Sequence, residues 1–457
     1  MPKISSQYPF VRVMGAWSRT VPLALTISLI ASPLYAQQDM PAGGAAMEEL
    51  AALEQATRSP AALPSLPALF GRALEHDADL TRQRYELEAT REEIPMARSQ
   101  LLPQVSATGG YLWQDSTNIQ TSPDDFGLDQ PAQRPGEIEE NYWQVQLQQP
   151  LFSLERWRGM DVADAQVNAA ELQLAVVERD LALQVSEAYV QAYLASQRLG
   201  LLESQQESLE LQVRQAQRAY DLGVGDRINL LEAQSRLDQA ISDAVQAENE
   251  LDNALSTLER LTGTLPEFRG LAIGELSEVS LNSEWGAQDD WLARTGQNLD
   301  VLLARQEQRI SEADASTRRA GYYPEVNLNL SYSDRTSDDV LRESEDYRAG
   351  VEMSVPIYRG GYTTANVRQG EKRINASQAA FDNQRNLAGQ EVRQRLRSLN
   401  GHVRLYDQRI QYVDTIGEYA LDSLALQSAV GELGSDDLGN VMTLLLSLTD
   451  LTATTSG

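Results

Sequence analysis

The chain has 457 residues, a formal charge of −28, no cysteine and two histidines. Without cysteine there are no disulfides, no thiolate metal sites, no catalytic thiol and no acceptor for a lipid anchor, and His76 and His402 alone give little material for histidine-based metal or triad chemistry. The negative charge also argues against a nucleic-acid partner, because phosphate binding needs clustered basic surface.

Residues 1–36 read as a secretory signal: Lys3, Arg12 and Arg19 come first, then the apolar run VPLALTISLI, then small residues up to Ala36. Removing those three charges takes the mature chain to −28 − 3 = −31. The apolar run has about ten residues where a spanning helix needs ~20, and nothing later is long and apolar enough to span as a helix. Any part embedded in lipid must then be a β-barrel, the only other structure that satisfies its own backbone there. Residues 37–65, rich in Ala, Pro and Gly, read as a loose segment. A helix is expected from Leu66 to about Leu102, stopped by Pro103 and kinked at Pro95.

A strand is expected over 103–115, a polar loop from Gln114 to Glu140, and a second strand over 141–152. In that second strand Trp143, Val145 and Leu147 alternate with Gln144, Gln146 and Gln148, the period-two pattern of a ribbon with one apolar and one wet face. The period then changes. Over 153–220 apolar residues such as Ala163, Val167, Ala170, Leu174, Val177 and Leu181 recur four and three apart, a heptad seam, with a second set opposite, so this helix has two neighbours. At ~1.5 Å per residue it would reach roughly 100 Å. The glycines of YDLGVGD, Tyr220 to Asp226, break it, and a return helix of about half its length follows over 226–263.

The arrangement then repeats. Residues 66–270 form the first repeat, 271–296 a linker or equatorial segment, and 297–457 the second repeat: a helix, strands over 324–334 and 347–358, a long helix over 362–430 and a shortened final helix. Val326, Leu328 and Leu330 alternate with Asn327 and Asn329, and Val351 and Met353 flank Glu352. Leu396, Leu399, Val403, Tyr406, Ile410, Val413, Gly417, Ala420 and Leu424 continue the four-three rhythm.

Each of the four strands has about ten residues, enough to cross hydrocarbon at a tilt. The wet-face residues Gln144, Gln146, Gln148, Asn327, Asn329 and Glu352 are ones no dry core accepts unpaired, so they are expected to line water. Four strands cannot close a barrel, whose lower limit is about eight, so several copies must pool them. Trp143, Tyr142, Trp113 and Tyr347 are candidates for an aromatic girdle. Gly360 and Gly361 lack the Lys and Ser or Thr of a phosphate loop and read as relief of crowding where strand bends into helix. The abundant carboxylates form no recognisable set with a histidine or nucleophile, so no catalytic, cofactor or metal residues are expected and the chain reads as no enzyme. Both histidines read as surface residues of long helices.

The segments QPLFSLERWRGMDVADAQ (149–166), AYDLGVGDRINLLEAQSRLDQA (219–240) and NELDNALSTLERLTGTLPE (249–267) closely resemble the TolC family of outer-membrane efflux and secretion channels, over nearly all of residues 66–443. The resemblance implies a mainly α fold with a transmembrane β-barrel: a homotrimer with a 12-stranded barrel in the outer membrane of a Gram-negative bacterium and a long α-helical coiled-coil tunnel through the periplasm. It implies a passive exit duct that meets an inner-membrane pump, ABC or proton-driven, through a periplasmic adaptor, and exports small toxic molecules or, in type I secretion, polypeptides. It further implies that the hairpin ends close the tunnel and receive the adaptor, here Gly223, Gly225, Asp226, Arg227 and Glu232 in the first repeat and Gly431, Gly434, Asp436 and Asp437 in the second. Docking would then untwist these ends. A solvated acidic turn capping a helix is the competing reading of Asp436 and Asp437. A non-conducting trimeric coiled coil of structural or adhesive role shares the heptads, but has no need of polar-faced strands in duplicate.

Overall fold

The computed structural model describes residues 64–115, 137–268, 281–282, 284–338, 343–407 and 412–447. The expected signal, nearly all of the segment 37–65, most of the polar loop and part of the linker lie outside the described residues.

The first expected helix is three: α1 (Leu66–His76), α2 (Ala78–Arg91) and α3 (Glu93–Ser99). Asp77 makes the first break, because its extended backbone lets its carboxylate accept the Leu80 N–H at 2.8 Å and start a new helix. The second break has its cause at Pro95, which stands in the first turn of α3 and whose ring would clash with the carbonyl four residues back, that of Arg91, the last residue of α2.

Four strands follow the expected order with longer or shorter ends: β1 (Gln104–Asp115), β2 (Glu137–Ser153), β3 (Glu325–Ser337) and β4 (Ser344–Ser354). They form one antiparallel sheet in the order β1-β2-β3-β4. β2 passes Pro150 through a register shift between Pro150 and Phe152, whereas β4 stops at Ser354, short of the expected 358, because Pro356 has no N–H to give and restricts Val355.

The long helix α4 (Leu154–Asp221) and the return helix α5 (Arg227–Thr262) form the first hairpin, and α5 ends on Gly263 in the left-handed conformation. After the short α6 (Gln288–Arg294), α7 (Leu299–Ala320) ties the repeats together: Gln306 donates to the Ala165 carbonyl of α4 at 3.1 Å, and Arg179 of α4 reaches Asp300 at 2.6 Å. Gly360 and Gly361, with φ of 61° and 86°, turn the chain from β4 into the next helix.

The expected helix over 362–430 is not continuous. It is α8 (Tyr362–Asp407) and α9 (Tyr412–Ala429), which run antiparallel, with α10 (Ser435–Ser447) after them. The reason is packing on two sides of α9. Tyr419, Leu426 and Ala429 bury against Val392, Leu396 and Leu399 of α8, while Ile416, Ala420 and Leu424 join the main core. That core sits midway along α4, where Tyr189 and Tyr193 meet α1, the second half of α5, α9 and α10. Each fully buried Leu or Phe there contributes about 1.5–3 kcal/mol.

Candidate functional site

Side chains directly opposite on antiparallel strands share a face, so the register decides which residues can line a pore. Gln148 pairs with Asn329, Gln146 with Ser331, Gln144 with Ser333 and Asn327 with Glu352. β1 adds Gln104, Ser106 and Thr108 to the same rows, and β4 adds Arg348 and Asp346. All six expected pore residues therefore lie on one face, where the Asn329 amide donates to Glu352 at 3.3 Å. The other face carries Val105, Leu147, Leu330 and Ala349 in one row, and Leu328 and Val351 in the row beside it.

Above that apolar band stands an aromatic row. The Trp143 and Tyr332 rings are 4.8 Å apart and those of Tyr332 and Tyr347 are 4.6 Å apart. Their polar atoms all find acids: Trp143 Nε1 donates to Asp334 at 3.2 Å, and the Tyr332 and Tyr347 hydroxyls donate to Glu345 at 3.0 and 2.8 Å. Trp113 shares this face, but Tyr142 does not. Tyr142 pairs with Gly110 and Arg335 on the polar face, where its side chain lies so close over Gly110 that a Cβ there would meet the hydroxyl at 2.7 Å. Behind it Glu140, almost wholly buried, holds Arg335 at 2.9 Å.

The first expected hairpin end is the α4–α5 turn. Gly223 has φ +71°, the Gly225 N–H donates to Ala219 O at 2.9 Å, and the Asp226 carboxylate caps α5 by accepting from Ile228 and Asn229 N–H groups. Arg227 is exposed, and Glu232 is spent on Arg236 one turn later. Leu222, Val224 and Ile228 stand 72% exposed or more. The end is a hydrogen-bonded turn with an uncovered apolar tip.

The second expected end lies elsewhere. Gly431, φ +73°, sits against the Gln297 carbonyl, and Arg294 binds Glu432. Beyond it Leu438, Val441 and Leu445 are in the core, and the Tyr193 hydroxyl donates to Leu445 O at 3.2 Å. Tyr193 is 221 − 193 = 28 residues before the end of α4, about 42 Å along it. Thus Gly431, Gly434, Asp436 and Asp437 are not brought to the first end. Asp436 is exposed; Asp437 turns back to accept the Gly434 N–H at 2.9 Å, and burial pushes its carboxyl above the ordinary range, helped by Asp436 and Glu432 and opposed by that N–H.

His402 is buried rather than on the surface. Its Nε2 meets both Asp422, at 3.0 Å, and Ser398, at 3.1 Å, while Nδ1 faces Glu418 at 3.5 Å. Nδ1 makes no hydrogen bond, so no acid orients the ring from the nitrogen opposite Ser398 as a catalytic triad needs, and the cluster serves as a clamp between α8 and α9. Among the described residues no group of three or more His, Asp and Glu side chains is placed to hold a metal ion.

Residues 69–264 and 295–420 match the model of the outer membrane efflux protein family. The chain is 26% identical over 382 residues to the outer membrane protein TolC of Vibrio cholerae serotype O1, covering 82% of this chain and 80% of that protein. It is 30% identical over 319 residues to the alkaline protease secretion protein AprF of Pseudomonas aeruginosa, covering 68% and 64%. Its fold is similar to the crystal structure of the Campylobacter jejuni CmeC outer membrane channel, with a TM-score of 0.64 at 15% identity over 84% of this chain and 90% of that one. With its two-faced sheet above a long helical hairpin, the chain belongs to the outer membrane efflux protein family, a family of channel proteins, and serves as an exit duct in the outer membrane of a Gram-negative cell.

Proposed function

We propose that three copies close a 12-stranded barrel and a shared periplasmic tunnel, and that the assembly is the passive exit of a tripartite efflux or type I secretion system. The observation that carries this reading is the sheet: a polar face backed by an apolar face with an aromatic row, and two free edges on which further strands can add. The pump and its periplasmic adaptor supply energy and cargo, and the duct supplies a wet path. The adaptor meets the α4–α5 end, where Leu222, Val224 and Ile228 offer apolar side chains beside exposed Arg227 and Glu232. Relatives named for protease secretion and for efflux support both cargo classes, polypeptides and small toxic molecules. Purified protein in planar bilayers is expected to give stepwise ion conductance and to run as a trimer in mild detergent. A soluble monomer sinks the proposal, and a trimer that never conducts favours a structural coiled coil.

A further inference from the structure

The long helical stretches of the two repeats have the same length, although the second folds back. α4 spans Leu154–Asp221, 68 residues, and Tyr362–Ala429 is also 68 residues, although the latter is divided into α8 and α9. The same offset of 208 residues that maps Leu154 onto Tyr362 maps Gly223 onto Gly431, and both glycines have left-handed backbones, φ +71° and +73°. The four-three apolar rhythm runs in phase from Leu396 to Leu424, and residues 408–411 are Gln, Arg, Ile and Gln, with no Pro or Gly to demand a break.

α7 sets the heights of the long helices, since Gln306 meets Ala165 of α4 while Gln308 meets Gln378 of α8. By the offset, the end of α8 at Asp407 stands abreast of residue 199 in α4. Burial of α4 thins there: it is dense from Leu181 to Gln197, and beyond it Leu209 is buried while Leu201, Leu211 and Tyr220 are exposed, as are Ile228, Ile241 and Val245 on α5. This uncovered stripe covers the height that residues 407–429 would occupy if they continued straight.

We propose that residues 362–429 exchange between the folded-back pair described above and one straight helix along the distal halves of α4 and α5, the straight form belonging to the assembled duct. The folded-back form is latched by Asp422, which accepts from Arg395 at 2.8 Å and meets His402 at 3.0 Å, and by Arg294 on Glu432. Straightening gives up those pairs, the contacts of Tyr419 and Leu426 with α8 and those of Ile416, Ala420 and Leu424 with the main core, and regains apolar burial on the bare stripe. Two packings of one sequence with comparable burial are the condition for such a switch.

The chain has no cysteine, so nitroxide labels can be placed at E391C/Q427C alone. Antiparallel helices 8–10 Å apart keep this pair within about 20 Å, while a straight helix separates it by 36 residues, about 54 Å. Pulsed electron spin resonance on single subunits in detergent is expected to give the short distance, and on the duct assembled in outer-membrane lipid the long one. Only the short distance in the assembled duct overturns the proposal. Asp422→Ala is expected to move detergent-solubilised subunits toward the long distance; an unchanged distribution counts against the latch. A second pair, R198C/E250C, spans α4 and α5, whose native side chains are 3.2 Å apart, and must stay short throughout, which reports that the hairpin is folded. Conductance of the same samples is read separately, so failure of the duct reading and failure of this exchange give different results.

Discussion

Leu147 and Gln146 are neighbours in sequence and face opposite ways in the sheet, so one substitution at each tests the assignment of faces. The apolar face runs on β3 from Val326 to Asp334, eight residue steps or about 27 Å along the strand, which at a tilt of ~40° is about 21 Å along the membrane normal. Leu330 is at the centre of that run and pairs with Leu147, so Leu147 sits near the bilayer midplane. An arginine there costs about 2–4 kcal/mol, which lowers the folding equilibrium constant roughly 30-fold to 900-fold per copy. Gln146→Arg adds the same charge in a row of Ser106, Ser331 and Arg348, where water solvates it, and costs under ~1 kcal/mol. The pair is compared by urea titration in lipid vesicles, with ion selectivity measured on the channels that form. Leu147→Arg is expected to lower the midpoint strongly, and Gln146→Arg to leave it and reduce the preference for cations. Equal costs, or a larger cost at Gln146, would refute the face assignment.

Gly431→Ala forces a Cβ into the Gln297 carbonyl on a left-handed backbone, whereas Gly223→Ala meets only the backbone penalty of about 1 kcal/mol. Thermal unfolding should therefore drop at least twice as far for the former as for the latter. The raised carboxyl of Asp437 favours its neutral form in the fold, so its contribution is fully present below the ordinary aspartate range and is lost as pH rises through the raised value. Asp437→Asn keeps an acceptor for the Gly434 N–H and is expected to raise the melting temperature at pH 7, with the gain shrinking toward pH 4; a lower melting temperature at pH 7 contradicts this. Arg179, largely buried between Asp300 and Asp180, joins α4 to α7, and Arg179→Met should cost about 1–3 kcal/mol in urea by leaving the half-buried Asp300 unpaired.

What the sequence made legible follows from how tightly each pattern constrains its neighbours. Period two leaves a strand residue one of two faces, so Gln144, Gln146, Gln148, Asn327, Asn329 and Glu352 fall together once the strands are found. Tyr142 was legible too: its even number puts it with Gln144, and grouping it by aromatic character with Trp143 overrode that parity. Asp77 carried a signal as a capping residue before ADLTRQR, masked by an apolar rhythm that continued across it. The fold-back of α9 had no such signal. A heptad seam states that a helix has apolar neighbours without stating which, and Ile416, Ala420 and Leu424 satisfy α4 as well as any partner farther along. His402 was hidden for the same reason: Asp422, 20 residues later, becomes its partner only after the chain reverses.

The sheet itself argues for how copies join. β1 offers one free edge and β4 the other, and in hydrocarbon each unpaired N–H or C=O costs several kcal/mol, so neither edge can remain open in a membrane. Three successive antiparallel pairings leave β1 and β4 pointing in opposite directions. In the proposed barrel the β4 edge of one copy would therefore meet the β1 edge of the next in antiparallel sense, and the meander would continue across the junction without a change of pattern. β1 has 12 residues and β4 has 11, so the joined edges match in length as well as direction. An odd number of strands per copy would have required a parallel junction. The even number allows identical subunits to close a ring in which every strand is equivalent to a strand of its neighbour, and the proposed closure would turn the polar rows of Gln146, Ser331 and Arg348 into a continuous wet wall.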